Sequence, residues 1–150
     1  TYRKNILKGI DFPFDVMSFS KKNVLRGLHI QTKNSQAKII TVTQGKIFDV
    51  AVDLRKNSKT FGKIFKIILS DKNCLSLYIP EGFAHAYYSY DKINIIYYKL
   101  TNYYKPQYED GINVMDNKLN IKWPKNNCNI SKKDKTLKSF EEFCKTHKFL

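Results

Sequence analysis

Three stretches of the chain place polar side chains within patterns that are otherwise typical of apolar strands. His29 and Gln31 are two positions apart, so they share a face if their stretch is a strand. Lys38 opens an apolar run, and His85 follows a turn that contains proline and glycine. An imidazole can act as a general base near neutral pH, so His29 is a candidate base. The alternative is that these side chains lie on solvated strand edges and strand ends.

Histidines also bind metals, so a metal site is a further possibility. The Pro-x-Gly-x-x-His spacing from Pro80 to His85 resembles the second motif of the cupin barrels. The first cupin motif usually supplies His-x-His and a carboxylate, and here Gln31 stands where the second histidine would be. A zinc, iron or manganese site would have to combine His29, His85 and carboxylates. We expect no metal and no other cofactor, and a metal-free barrel that uses His29 as the base.

Short strands with turn signals dominate the chain and would position these side chains. From Lys46 to Arg55, an apolar face alternates with a face that carries carboxylates. Seven or more such strands, with few long helical patterns between them, predict an all-β barrel or sandwich. A polar loop at Asn126–Asp134 and a short amphipathic helix at Thr136–His147 are predicted to follow. The predicted strands are Val24–Gln31, Ala37–Thr43, Lys46–Arg55, Gly62–Leu69, Leu75–Ile79, Ala84–Ser89 and Ile93–Leu100.

The chain is strongly basic. Its 150 residues include 27 Lys+Arg against 13 Asp+Glu, which gives a formal net charge of +14. Such a charge can attract nucleic acid or another anionic ligand, and it can also reflect AT-rich coding. Because the lysines are scattered and no run of five like charges occurs, we expect no nucleic-acid partner. Aromatic residues make up 14% of the chain, which excludes a disordered tail.

Length and cysteine usage narrow the class of protein further. The length predicts a single domain over residues 1–150, and no apolar stretch is long enough for a membrane span. The first nine residues show no apolar signal-peptide core. Cys74, Cys128 and Cys144 are odd in number and far apart, unlike a disulfide framework or a zinc site. We therefore expect a cytoplasmic protein with reduced thiols and no membrane partner.

A series of motifs is more specific than any single feature. It begins with Val24-Leu25-Arg26-Gly27-Leu28-His29-x-Gln31 and runs in order, with few gaps, to Asp134. The series resembles the dTDP-4-dehydrorhamnose 3,5-epimerase family. The other segments that carry the resemblance are Gln36-Ala37-Lys38, Phe48–Gly62, Leu69-Ser70, Ile79–His85, Tyr98-Lys99, Tyr103-Tyr104-x-Pro106, Trp123-Pro124 and Ser131-x-Lys133-Asp134.

The resemblance implies a cupin-type jelly-roll barrel that acts without cofactor, usually as a homodimer, on a nucleotide-linked 4-keto-6-deoxy sugar. Loss of a hydrogen alpha to the C4 ketone gives an enolate, and His29 corresponds to the base that removes it. By the same resemblance, Asp134 pairs with the other imidazole nitrogen and Lys38 stabilises the O4 oxyanion. Tyr104 corresponds to the acid that returns a proton from the opposite face. A single base on one face would only restore the starting configuration.

The resemblance also implies four substrate-binding residues. Arg26 and Gln31 match positions that contact the sugar and the phosphates. Asp49 matches a carboxylate near the sugar pocket, and His85 matches a histidine that lines the barrel. Asp49 could instead be a buried partner of Lys38 or of an arginine. Three other tyrosines are expected to pack in the barrel wall rather than take part in chemistry: Tyr97, Tyr98 and Tyr103.

The sequence departs from the family pattern near its start. The family usually reads Gln-x-Asn-x-Ser-x-Ser before the Val-Leu-Arg-Gly stretch, whereas here Phe14 and Val16 replace the polar pair and Ser18 and Ser20 remain. We expect a reshaped sugar pocket. An N-terminal Asp-x-Arg-Gly-x-Phe segment, which in the family reaches toward the neighbouring subunit's nucleotide, is missing. Because the chain begins at Thr1 rather than Met, we expect a fragment or a trimmed form of a longer protein.

The leading hypothesis is an epimerase that inverts C3 and/or C5 of a dTDP-linked 4-keto-6-deoxyhexose, in rhamnose-type deoxysugar biosynthesis for surface polysaccharide. One alternative is an epimerase for another nucleotide-linked 4-keto sugar, such as a GDP-4-keto-heptose, or one that inverts C3 only. The other is a non-catalytic barrel that binds sugar or nucleic acid. The predicted organisation is an N-terminal segment (1–23), the barrel with its active site (24–134) and a terminal helix (135–150).

Overall fold

A computed structural model describes residues 7–147, which form ten strands and two short α-helices. A 3-10 turn at Pro106–Tyr108 precedes β9. The helices are α1 (Lys132–Lys135) and α2 (Phe140–Thr146). The strands are β1 (Phe14–Ser20), β2 (Val24–Gln31), β3 (Lys38–Gln44), β4 (Lys46–Asp53), β5 (Ile64–Ser70), β6 (Ser76–Ile79), β7 (Phe83–Ser89), β8 (Asn94–Leu100), β9 (Glu109–Gly111) and β10 (Asn129–Ile130).

The strands form two sheets. The first sheet has the order β1-β8-β3-β6, and the second has the order β10-β2-β7-β4-β5 with β9 also paired to β2. The pairs are antiparallel, apart from β10 with β2. This arrangement confirms the predicted all-β, cupin-type jelly roll, and it leaves a barrel interior between the sheets.

The inner strands of the second sheet, β2, β7 and β4, are largely buried on both faces, which explains their side-chain pattern. On β4, Ile47 and Ala51 pack into a cluster between the two sheets, whereas Val50 and Val52 pack into a cluster on the outer side. The C-terminal segment covers that outer side and contributes Phe143 among other residues. The polar residues of β2, β4 and β7 that face inward therefore supply the polar groups of the barrel interior.

Three parts of the chain differ most from the sequence predictions, whereas the ends of the seven predicted strands shift by no more than two residues. The segment predicted to precede the barrel contains β1, which alternates exposed and half-buried residues because Met17 and Phe19 face outward. The predicted polar loop at Asn126–Asp134 contains β10 and most of α1. The predicted terminal helix is present but begins at Phe140, because Ser139 caps it in a capping box with Glu142.

A close approach between β2 and β7 requires glycine at position 27. Gly27 has φ +114°, and a Cβ built there would lie 2.5 Å from the carbonyl oxygen of His85. A side chain would therefore push apart the two strands that carry the polar groups described below. Within residues 7–147, neither helix is long and apolar enough to cross a bilayer.

Candidate active site

A cavity of about 480 Å³ lies between the two sheets. A cavity of this size is typical of small-molecule sites. The first sheet forms one wall, which carries both apolar and polar side chains. This wall comprises Phe14, Val16, Ser18, Lys38, Tyr98 and Leu100.

The second sheet forms the opposite wall, which carries most of the charged and hydrogen-bonding groups. Residues from the loop after β8, from β9 and from the start of α1 form a rim beside this wall, namely Tyr104, Glu109, Ser131, Lys133 and Asp134. The second-sheet wall comprises Arg26, His29, Gln31, His85 and Tyr87.

His29 and Asp134 form an imidazole–carboxylate pair at the cavity. The His29 Nε2 lies 2.7 Å from Asp134 Oδ1, and the Asp134 side chain is only 4% exposed against 27% for His29. Ser131 caps α1 and accepts a hydrogen bond from the Asp134 N–H, which fixes the carboxylate. Burial acts to raise the pKa of Asp134, but the hydrogen bond from His29 and its charge outweigh that effect and lower the pKa. With Nε2–H donating to Asp134, Nδ1 is the basic nitrogen.

Lys38 lies on the first-sheet wall at the start of β3. Burial lowers its pKa to about 8, and the negative charges of Glu109 and Asp49 only partly oppose that effect. The ammonium group is therefore charged at neutral pH, in an environment with little solvent to screen it. Such a charge interacts strongly with any anion that forms in the cavity.

His85 and Asp49 form a second imidazole–carboxylate pair. Their side chains are 7% and 0% exposed, and His85 Nε2 lies 2.9 Å from Asp49 Oδ2. The other oxygen, Asp49 Oδ1, has no hydrogen-bond partner among the described residues. Asp49 does not line the cavity, and its carboxylate contacts His85. Asp49 can therefore orient the His85 ring. This matches the buried-partner alternative, with a histidine as the partner in place of a lysine or an arginine.

Gln31 lines the cavity, but its amide group is occupied by backbone groups. Its Nε2 donates to the carbonyl oxygens of Asn34 (2.6 Å) and Tyr103 (3.3 Å), and its Oε1 accepts from the Lys105 N–H (2.8 Å). The residue between the last two contacts is Tyr104. Gln31 therefore anchors the loop that carries Tyr104, a role that the sequence reasoning did not assign to it.

Arg26 is exposed at the cavity and contacts a hydroxyl cluster. Its Nη1 lies 3.4 Å from the hydroxyl oxygen of Tyr87. That hydroxyl also lies 2.8 Å from Ser20 Oγ and 3.2 Å from Ser18 Oγ. Because Tyr87 is on the second sheet and both serines are on β1, this cluster joins the two walls.

Tyr104 lies at the rim rather than on the wall opposite His29. It is 46% exposed, and its hydroxyl donates to Glu109 Oε2 at 2.8 Å. Glu109 also pairs with Lys133, which precedes Asp134. Since β9 pairs directly with β2, these contacts hold the Tyr104 hydroxyl on the side of the cavity that carries His29.

Tyr98 is the tyrosine that the structure places across from His29. It lies on β8 of the first sheet, next to Val16 of β1, and lines the cavity. Burial raises the pKa of Tyr98 well above its usual value, and nearby Tyr87 and Asp49 add to that effect, whereas Ser18 and Arg26 oppose it. Its phenol therefore keeps its proton across the neutral range.

The two histidines that could hold a metal bind separate carboxylates. His29 and His85 face each other as register partners on β2 and β7, but His29 binds Asp134 and His85 binds Asp49. Over residues 7–147, no group of three His, Cys, Asp or Glu side chains is arranged to hold a metal ion.

Sequence reasoning brought together most of this site but missed several members. The cavity contains His29, Lys38 and Asp134 together, as expected from the motif series. Glu109 and Tyr87 were not singled out, although Glu109 follows Tyr104 by five residues and Tyr87 follows His85 by two on the same strand. The spacing of Tyr87 from His85 was the available signal, since residues two apart on a strand share a face.

The jelly-roll barrel and the acid–base groups inside it place the chain among the cupin-type carbohydrate epimerases. A family model described as dTDP-4-dehydrorhamnose 3,5-epimerase matches residues 1–142. The chain belongs to the dTDP-4-dehydrorhamnose 3,5-epimerase family.

Individual relatives agree with this assignment. The dTDP-4-dehydrorhamnose 3,5-epimerase of Methanothermobacter thermautotrophicus is 43% identical over 136 residues, which cover 89% of this chain and 74% of the relative. The structure of dTDP-6-deoxy-D-glucose-3,5-epimerase from Legionella pneumophila, in complex with dTDP-4-keto-L-rhamnose, has a TM-score of 0.89 and 40% identity, covering 93% of this chain and 75% of that one. A 3'-monoepimerase from Streptomyces bikiniensis was solved in complex with dTDP as a double mutant of one histidine and one tyrosine. Its structure has a TM-score of 0.87 and 25% sequence identity, and the match covers 99% of this chain and 75% of that one.

Proposed function

We propose that this protein inverts C3 and/or C5 of a dTDP-linked 4-keto-6-deoxyhexose, by removing a proton alpha to the C4 ketone and returning one from the opposite face. The observation that carries the proposal is the position of His29. Its imidazole, held by the buried carboxylate of Asp134, faces a cavity whose other wall presents Lys38 and Tyr98. The Legionella relative with dTDP-4-keto-L-rhamnose bound supports the substrate class. The reaction then belongs to rhamnose-type deoxysugar biosynthesis.

The base in this proposal is His29. Asp134 accepts the Nε2 proton, orients the ring and stabilises the imidazolium that forms when Nδ1 takes the substrate proton. The C4 oxygen gains negative charge as the enolate develops, and Lys38 supplies the positive charge that stabilises it. Arg26 and Lys133, which also line the cavity, are placed to bind the diphosphate.

The charge state of Lys38 predicts how activity depends on pH. Because its pKa is about 8, the ammonium group is present below that pH and is lost as the pH rises through it. We expect kcat/KM for epimerisation to fall on the alkaline side with a midpoint of about 8. Lys38→Arg should move this limb to higher pH, because a guanidinium stays charged. A pH profile of both proteins checks this, and an identical alkaline limb in the variant would assign the titration to another group.

The acid in this proposal is Tyr98 rather than Tyr104. Inversion requires a donor on the face opposite the base, and Tyr98 is on the wall opposite His29 whereas Tyr104 is held on the side of His29. The Streptomyces 3'-monoepimerase supports this choice, because its mutated histidine and tyrosine are seventy positions apart. In this chain, the separation between His29 and Tyr98 is one position shorter than that of the relative's pair. The separation between His29 and Tyr104 is five positions longer.

A second candidate function is inversion at C3 only. The observation that favours it is the apolar part of the first-sheet wall, where Phe14 and Val16 line the cavity and the centroid of the Phe14 ring lies 5.5 Å from that of the Tyr103 ring. Phe14 and Val16 offer no side-chain hydrogen bonds to a substrate that must turn or shift between two inversions. The 3'-monoepimerase relative shows that a single inversion occurs among proteins of this fold.

Solvent deuterium exchange tests both candidates. The protein is incubated in D2O with dTDP-, GDP- and UDP-linked 4-keto-6-deoxyhexoses, and label and configuration are read at C3 and C5. We expect label and inversion with the dTDP sugar at both carbons, or at C3 alone for the second candidate. If neither C3 nor C5 takes up label with any of the three sugars, the proposed function is overturned.

We also propose that the protein forms a homodimer through the outer face of β1. This strand is the edge of the first sheet, and its Met17 and Phe19 side chains are 65% and 57% exposed. An exposed apolar edge strand is a typical pairing surface. Light scattering of the full chain should give twice the mass of one subunit, and Met17→Lys combined with Phe19→Lys should give a monomer.

A cytoplasmic site of action is part of this proposal. Cys74, Cys128 and Cys144 are free thiols in the structure. Free thiols persist in reducing compartments. Fractionation of the native host with an antibody to the chain tests this placement.

A further inference from the structure

Arg26 and His29 reach the same cavity although they are three positions apart on β2. Residues three apart on a regular strand point to opposite faces of its sheet. The pairing of β2 with β7 shifts register between these two residues, and this irregularity turns both side chains inward. The fold therefore places a cation and a base on one strand of the second-sheet wall.

Arg26 keeps its positive charge free of any carboxylate. In the part of the chain that the structure describes, its guanidinium forms no ion pair, and its one side-chain hydrogen bond is to Tyr87. Arg55 shows the contrast, because its guanidinium donates two hydrogen bonds to the Asp53 carboxylate, at 2.9 and 2.8 Å. A carboxylate partner competes with an anionic ligand for the guanidinium, whereas a neutral hydroxyl leaves its charge available.

Tyr87 is itself held in the position from which it contacts Arg26. The two residues are register partners on β7 and β2, so their side chains are neighbours on one face. Tyr87 is buried, and its hydroxyl lies 2.8 Å from Oγ of the buried Ser20 and 3.4 Å from Arg26 Nη1. A guanidinium only donates hydrogen bonds, so the phenol oxygen accepts from Arg26. The buried contact between Ser20 and Tyr87 thus fixes an acceptor beside an exposed cation.

We propose that Tyr87 is a positioning residue, which holds the Arg26 guanidinium toward the diphosphate of the bound dTDP sugar. This inference rests on the proposed function, in which Arg26 binds the diphosphate. A guanidinium has five N–H donors, so one contact with Tyr87 leaves others for phosphate oxygens. Without the hydroxyl, the long Arg26 side chain would have to be ordered by the ligand itself, which lowers affinity. In this role Tyr87 acts on binding, through Arg26, and not on the proton transfers.

A double-mutant cycle between Tyr87→Phe and Arg26→Gln, made in the full chain, tests the proposal. For each protein, the Kd of dTDP is measured by calorimetric titration, and kcat and KM are measured with dTDP-4-keto-6-deoxyglucose. For Tyr87→Phe we expect Kd and KM to rise about tenfold while kcat changes less than about twofold. In the Arg26→Gln background, which already lacks the guanidinium, Tyr87→Phe should change Kd by less than about twofold.

Tyr88→Phe is the matched control and should bind dTDP as the wild-type protein does. It removes the hydroxyl of the next residue on β7, which donates to Asn23 Oδ1 at 2.6 Å and belongs to the outer cluster. A loss of folded protein alone would lower kcat per mole of protein and leave KM unchanged, so the two constants separate positioning from a structural role. Ser20→Ala, which removes the group that holds the Tyr87 hydroxyl, should raise Kd by a smaller factor.

Three results would overturn the positioning role. The first is an equal effect of Tyr87→Phe on Kd with and without the Arg26 guanidinium, and the second is an unchanged Kd in Arg26→Gln. The third is a fall in kcat with unchanged KM and Kd. If Tyr87→Phe does not fold, the same criteria are applied to Ser20→Ala. The proposed function stands in each case if the wild-type protein inverts the sugar, whereas absence of inversion and of solvent deuterium uptake with the wild-type protein overturns that function itself.

Discussion

His29→Ala is expected to lower solvent deuterium incorporation into a dTDP-linked 4-keto-6-deoxyhexose by about 10²–10⁴-fold, the contribution of a positioned general base. His29 is the imidazole that faces the cavity with its Nε2 committed to Asp134, so its removal leaves no group in its place to accept the substrate proton. Exchange should fall at every carbon that the wild-type protein labels, because proton removal precedes inversion.

Asp134→Asn tests the carboxylate partner of His29 in the same pair. The amide cannot stabilise an imidazolium as the carboxylate does, so exchange should fall although His29 is still present. His147→Gln is a control, since His147 binds Asp110 at 2.6 Å and lies outside the cavity. Substrate affinity, measured by binding of dTDP, should change little in these variants. Wild-type exchange rates in His29→Ala would show that another group is the base.

The barrel could be predicted from the sequence because its strands repeat a two-residue pattern. On β4 this pattern is nearly complete, and the observed strand Lys46–Asp53 begins at the predicted residue. The first strand was missed because its outward face carries Met17 and Phe19, so that it does not alternate between apolar and polar residues. Local alternation therefore predicts strands that have a solvated face better than strands with an apolar outer surface.

The pairing of His29 with Asp134 and the presence of Lys38 in the site could be predicted from the motif series, but the place of Tyr98 on the opposite wall could not. The contact between His29 and Asp134 joins residues more than a hundred positions apart, and it was inferred only through the family resemblance. Tyr98 was expected to pack in the wall, because its own strand gives no sign of what it faces. Its position opposite His29 depends on how the two sheets stack, which local sequence does not encode.

The net charge of +14 is explained only in small part by the site. Among the cavity-lining residues, the basic ones are Arg26, Lys38 and Lys133, out of 27 in the whole chain. These three have a specific reason for their positions, namely the diphosphate and the enolate of the proposed substrate. The other lysines can speed the arrival of an anionic substrate without defining the reaction.

Tyr98→Phe is expected to separate exchange from inversion. Proton removal by His29 needs only the base and the Lys38 charge, so deuterium exchange should continue from the His29 side with retention of configuration. The inverted product should fall by about 10²–10⁴-fold, because the phenol that protonates the opposite face is gone. Configuration and label at C3 and C5, measured by NMR in the same sample, give both quantities.

Two matched tyrosine variants decide whether this effect belongs to Tyr98. Tyr97→Phe removes the hydroxyl of the next residue on β8, which faces outward and binds Asp15, so it should invert substrate at the wild-type rate. Tyr104→Phe removes a rim hydroxyl that donates to Glu109, so it should raise KM more than it lowers the inversion rate. If Tyr104→Phe loses inversion while Tyr98→Phe retains it, the acid reaches the substrate from the rim, and the Tyr104 hydroxyl must leave Glu109 when the sugar binds. The two-wall arrangement predicts the opposite result, because only a donor on the first sheet faces the side of the enolate turned away from His29.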